Sequence, residues 1–190
     1  MIHPTARVSS DSCIGADVSI GAFCVIGEDR PELEPVRIGN GSIIRSHSVV
    51  YRGTTIGENV QLGHGALLRE LCVIGSRVSI GSHTVLEHRV VLGDGVRLHS
   101  GCFVPEYSVL EEGAWLGPGV IVTNARYPNR PDTKENLEGV HIERGATVGA
   151  GCVLLPGVCI GEGALIGAGA FVVRDVPRGS KVVGNPGRVR

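Results

Sequence analysis

Five of the seven histidines, His47, His64, His83, His88 and His99, crowd into one stretch of the chain. Imidazole takes and returns a proton near neutral pH, and it is the commonest nitrogen ligand of zinc. A second series, Arg52, Glu70, His88, Glu106 and Asn124, recurs at a constant interval of 18, with Arg69 and Tyr107 beside its members. Guanidinium, carboxylate, imidazole and amide at one spacing make a set able to hold a polar substrate and move a proton. Any one of them alone reads as an ordinary exposed side chain. The shared interval demands elements that bring the chain back to the same place with every repeat of it.

Those elements are short and strictly periodic. Every sixth residue from Ile2 to Val122 is aliphatic except Glu32, and Ile142, Val148, Leu154, Ile160, Ile166 and Val172 resume the series in a shifted phase. The residue four places on is small or β-branched, as at Val60, Ala66, Cys72 and Thr84. Neither a helical period nor plain strand alternation keeps a phase of six. One large and one small inward residue per six predicts short strands joined by tight corners, where Gly and Asn supply the backbone angles. The 29 glycines are accordingly spread along the chain rather than gathered in a linker. Cys24, Cys72, Cys102 and Cys152 fall on the small inward site, so they read as packed thiols in a reducing compartment. Two segments break the chemistry of the repeat: 28–37, expected as a loop over an early coil, and 123–141, expected as a polar projecting loop.

The [LIV]-G-x4 pattern resembles the hexapeptide-repeat family. The resemblance implies an all-β fold, a left-handed parallel β-helix with three hexapeptides per coil, spanning 1–177 with a C-terminal tail at 178–190. Positions three hexapeptides apart then stack. One corner carries Asn40-Gly41, Glu58-Asn59, Ser76-Arg77 and Asp94-Gly95, a second carries His47, His64 and His83 with His99 close by, and the third carries the series from Arg52 to Asn124. Ala150 and Ala168, each inside "GAG", stack with almost no side chain; His3 and His141 are assigned to the surface.

The tail "DVPRGSKVVGNPGRVR" resembles the terminal signature of hexapeptide acyltransferases that use coenzyme A. This implies acetyl-CoA as co-substrate, its pantetheine arm along Ala150 and Ala168. Arg174, Lys181, Asn185, Arg188 and Arg190 would serve the phosphate end. The segment from Leu86 to Asn129 looks like that of sugar N-acyltransferases acting on nucleotide-linked amino-deoxysugars. In related galactoside and xenobiotic acetyltransferases a catalytic His lies on the following loop; here Tyr127 takes that place, which disfavours a hydroxyl acceptor. An amine is nucleophilic once neutral and needs less base assistance. His99 is the expected proton acceptor and Asn124 the residue that orients the amine, with His64, Arg69, Glu70, His88, Glu106 and Tyr107 binding sugar or diphosphate. O-acetylation of a sugar hydroxyl is the first alternative.

A zinc protein resembling gamma-class carbonic anhydrases is the second alternative, because His47, His83 and His88 match the spacing of that ligand set. Their phase in the hexapeptide differs by one or two positions, so no metal is expected. A non-catalytic assembly part is the third. Charge is nearly balanced, 18 Lys and Arg against 19 Asp and Glu, with three Tyr, three Phe and one Trp, which argues against nucleic acid as partner. No apolar stretch suggests a membrane span. A cytoplasmic protein is expected, and the resemblance to hexapeptide acyltransferases implies a homotrimer with its sites between neighbouring copies.

Overall fold

The computed structural model describes residues 1–28 and 30–190. Strands mostly of two residues alternate with two-residue turns, and they stack into three parallel sheets of nine, eight and ten strands. Face one runs from Arg7–Val8 to Phe171–Val172, face two from Cys13–Ile14 to Cys159–Ile160, and face three from Ser19–Ile20 to Lys181–Val183, closing with Arg188–Val189. Each coil visits all three faces. The partner of Leu67 is Val85 and the partner of Val85 is Phe103, so the regular register advances by three hexapeptides.

In the two-residue parallel strands the first residue points out and the second points in. Beyond the first coil the inward aliphatic column, including Ile26, Leu68, Leu86 and Leu116, is buried. Burial of each such side chain stabilises the fold by about 1.5–3 kcal/mol. The small inward column fills the space beneath each corner, and most of its polar members also bond to backbone, Ser108 Oγ being without a partner among the described residues. Thr54 Oγ1 donates to Arg69 O at 2.8 Å, Thr84 Oγ1 to His99 O at 3.0 Å, and the thiols of Cys72 and Cys102 to Glu87 O and Gly117 O, both at 3.2 Å. All six cysteines are free.

The interruptions enlarge single coils without breaking the sheets. Cys13 pairs with Arg37, one hexapeptide beyond the regular register, so the early loop leaves the phase intact. Val109 pairs with His141, two hexapeptides and two positions beyond that register, so the later loop shifts the phase by two. At the far end the coil continues beyond residue 177. Leu165 faces Lys181 in parallel register, and Val182 then pairs antiparallel with Val189. Among the described residues no helix is long and apolar enough to cross a membrane.

Candidate functional site

Both enlarged coils open at the same corner, the one between faces one and two, here termed the cleft edge. The turns carrying Arg52, Glu70, His88 and Glu106 lie on that edge between the two loops. Arg52 is buried and serves the lower loop. It donates to both Asp11 carboxylate oxygens at 3.0 and 2.7 Å, to Leu33 O at 3.0 Å and to Gly27 O at 3.3 Å. The guanidinium of Arg52, then Ser9, hold the Asp11 carboxyl well below the usual range. Glu70 is buried one coil above, paired with Arg69 at 2.9 Å and Arg30 at 3.5 Å. Burial opposes its charge, but its own backbone N–H and the two arginines outweigh that and lower its pKa. Arg69 also reaches Glu87 at 2.9 Å.

Above this network His88 Nδ1 lies 2.9 Å from a Glu106 carboxylate oxygen, and the Tyr107 ring meets His88 edge-on at 6.1 Å. A cleft of about 450 Å³ opens over the pair. His88, Glu106, Tyr107 and Asn124 line its coil side, Phe103 and Pro105 its floor, and Lys134 and Leu137 its loop side. Ligand-capable atoms of Glu87, His88 and Glu106 lie within 4.8 Å of one another. Arg69 already supplies a cation to Glu87. A second hollow, about 230 Å³, lies within the loop itself, where Arg130 covers the Tyr127 ring at 3.9 Å.

The corner between faces three and one, the histidine edge, carries His47, His64, His83 and His99, and also His3, which sequence reasoning assigned elsewhere on the surface. Ser46 Oγ and His64 Nδ1 are 2.8 Å apart, and the His99 ring lies 4.7 Å from Trp115. His99 and Asn124 therefore stand at opposite ends of face one within a single chain. The same face separates His47 and His83 from His88, so the zinc-like trio does not converge in one chain. His141 sits on face two, bonded to Glu111 at 2.8 Å.

Higher on the histidine edge, Pro118, Ala150 and Ala168 stack in consecutive coils, tied by Gly151 N to Pro118 O at 2.9 Å and Gly169 N to Ala150 O at 2.8 Å. At some corners the first turn N–H is capped by the side chain one coil up: His64 N donates to Ser82 Oγ at 3.1 Å and Ser76 N to Asp94 at 2.9 Å. Ala168 offers Ala150 no such oxygen, and neither alanine N–H has a protein acceptor among the described residues. The turn after Val183 brings Gly184 and Asn185 toward the top of this edge, while Arg174 and Arg188 line a separate cavity of about 280 Å³ at the C-terminal end. Lys181 faces outward beside Leu165 on face three. Sequence reasoning missed Glu87, Phe103, Pro105, Lys134 and Leu137. Glu87 stands one coil above Arg69 and could have been found by the same count, whereas the loop residues obey no count.

Residues 139–174 match the family model "Bacterial transferase hexapeptide (six repeats)", and residues 1–94 match that of the "GMPPB C-terminal domain". A UDP-3-O-acylglucosamine N-acyltransferase of Psychrobacter cryohalolentis is 48% identical over 48 residues, 25% of this chain and 12% of that protein. An acyl-[acyl-carrier-protein]--UDP-N-acetylglucosamine O-acyltransferase of a Psychrobacter species is 43% identical over 58 residues, 30% of this chain and 20% of that protein. The chain thus spans a fifth or less of either relative. The Francisella novicida UDP-N-acetylglucosamine acyltransferase structure superposes with TM-score 0.67 at 20% identity, over 97% of this chain and 67% of that one. Residues 139–174 thus carry a hexapeptide repeat, and the chain has the left-handed parallel β-helix fold of those acyltransferases.

Proposed function

We propose that the protein transfers an acyl group from acyl-CoA to an amino group on a nucleotide-linked (dTDP or UDP) amino-deoxysugar. The His88–Glu106 pair in the cleft carries this reading. With Nδ1–H donated to Glu106, Nε2 is left to accept a proton, and the carboxylate stabilises the imidazolium that results. The acceptor nitrogen attacks the thioester carbonyl carbon, the C–S bond breaks, and the thiolate leaves with the electron pair. The ammonium proton passes to His88 Nε2 and from there to the departing sulfur. Asn124 orients the amine, while Glu70, Arg69 and Tyr107 shape the sugar end. The uncapped N–H groups of Ala150 and Ala168 suit the amide-bearing arm of the donor. Arg174, Lys181, Asn185 and Arg188 suit its phosphates.

The outward residues of face one support an assembly. Val25, Val49, Leu67, Val85, Phe103 and Ile121 form an unbroken apolar column between the two polar edges. A head-to-tail contact through this face joins the histidine edge of one copy to the cleft edge of the next, and three such contacts close a ring. His99 then faces the neighbour's His88 and relays its proton.

The relatives' names include both an N-acyltransferase and an O-acyltransferase, and the second names an acyl carrier protein as donor. The loop favours an amine: residues 123–140 contain no histidine, and Tyr127 is engaged with Arg130. The His88–Glu106 pair keeps a hydroxyl acceptor as the second reading, since such a base can also activate an alcohol. Thiol release from acetyl-CoA against nucleotide-linked amino sugars and their hydroxyl counterparts separates the two. The expected result is turnover with amino sugars, reduced roughly 10²–10⁴-fold by His88→Ala. Turnover with hydroxyl sugars alone replaces the amine reading, and undiminished turnover in His99→Ala removes His99 from the relay.

A further inference from the structure

The turns of the histidine edge, from His3 to Gly169, contain no aspartate or glutamate, although the chain has 19 of them. The other two edges are rich in carboxylates, with Asp17, Glu58, Asp94 and Glu112 on one and Asp11, Glu70 and Glu106 on the other. Five of the seven histidines stand on this acid-free edge, joined by Arg45, with Arg97 on the adjoining strand of face three. An edge of N–H donors with no competing carboxylate is built to receive an anion.

At the lower end stands an exposed aromatic pair. Phe23 is 58% exposed, and its ring centroid is 5.2 Å from that of His47, tilted by 36°. Phe23 has φ of 57°, a left-handed angle that Gly or Asn holds at less cost, and glycine occupies the equivalent turn position at Gly65, Gly101 and Gly119. Leu71 and Tyr107 share this angle, but Leu71 is half-buried and Tyr107 lines the cleft. Phe23 is not part of the buried core. Above the pair, Ser46 fixes the His64 ring through Nδ1, and no protein partner is recorded for Nε2 among the described residues.

We propose that the histidine edge binds the nucleoside diphosphate part of the acceptor, the base stacked on Phe23 and His47 and the diphosphate held by His64 and His83. His47, His64, His83 and His99 occupy successive coils, so the run from the aromatic pair to His99 covers about 14 Å. A nucleoside diphosphate extended along it brings its sugar to the level of His99. The bare backbone of Pro118, Ala150 and Ala168 begins at the next coil, so acceptor and donor meet there from opposite directions. This inference rests on the acyltransfer reading for the identity of the sugar, but not for the binding of the nucleotide.

The test is calorimetric binding of UDP, dTDP and GDP to the full chain, alone and against CoA and inorganic pyrophosphate. At least one nucleoside diphosphate is expected to bind, CoA not to displace it, and pyrophosphate to compete only weakly for want of a base. Phe23→Asn is expected to weaken binding about tenfold while leaving thermal stability equal or higher, since Asn tolerates the backbone angle. His64→Gln is expected to weaken nucleotide and pyrophosphate alike. No binding by the wild-type chain, full affinity in both variants, or competitive displacement by CoA overturns the proposal. Nucleotide binding sensitive to Phe23→Asn without any acyl transfer overturns only the function proposed above. Transfer whose KM for the nucleotide sugar ignores both variants overturns only this inference.

Discussion

At the residue scale, the same interior position does two jobs, and the thiols show it. Cys24, Cys72, Cys102 and Cys152 fill the space beneath a corner and donate to the carbonyl of the coil above. Burial pushes all four thiols up, Cys72 to about 12. A thiol reagent at neutral pH is therefore expected to modify exposed Cys13 quickly and half-buried Cys159 slowly, and the other four only in denaturant. A count above two in the native protein contradicts this placement. These thiols were legible because the six-residue phase alone sets which way a side chain points. The His88–Glu106 pair was legible as a column but not as a hydrogen bond. A repeat of three hexapeptides stacks Cα atoms, whereas the approach of Nδ1 to a carboxylate depends on rotamers that spacing does not specify.

At the element scale, two loops leave the cleft edge, and the upper one walls the cleft. Arg52 clamps the lower loop through Leu33 O and is itself held by Asp11, whose folded pKa is depressed. That contribution is present above the ordinary carboxylate value of about 3.9 and is lost as pH falls toward the folded value. Asp11→Asn should therefore lower the melting temperature at pH 7, and the gap from wild type should close on acidification. A gap that widens on acidification rules out the clamp. The upper loop is fastened at Gly139, where a Cβ would overlap the Tyr107 carbonyl. Gly139→Ala should lift the loop base, displace Lys134 and Leu137, and lower kcat/KM on the order of a hundredfold, with the far-ultraviolet spectrum of the β-helix unchanged. Sequence placed both interruptions but not their contents. The early loop adds one hexapeptide, so it keeps the count while Glu32 leaves the core. The later loop adds two hexapeptides and two positions more, and its Lys134 comes to the cleft through turns and one short 3-10 segment at Thr133–Glu135 that no period encodes.

At the scale of the whole molecule, one apolar face separates two polar edges, which the proposed assembly would join between copies. Because every outward residue on face one is one position from an inward one, a charge placed there leaves the interior untouched. Leu67→Glu with Val85→Glu should yield folded monomers by light scattering and abolish transfer, whereas the same pair of changes at outward Gln61 and Ser79 on face three should do neither. A ring that persists and works with both acids on face one refutes the head-to-tail assembly. Periodicity showed that the outward positions of face one are apolar, yet it could not show what lies against them. The two enlarged coils carry a consequence of a different kind. The sheets run past each insertion in unbroken register, so the solenoid does not sense how much chain leaves between Ile26 and Arg37 or between Val122 and His141. Those two points are where inheritance can add, trim or exchange segments at little cost to folding, and under the proposed function the choice of acceptor would drift there while the proposed donor track stays fixed.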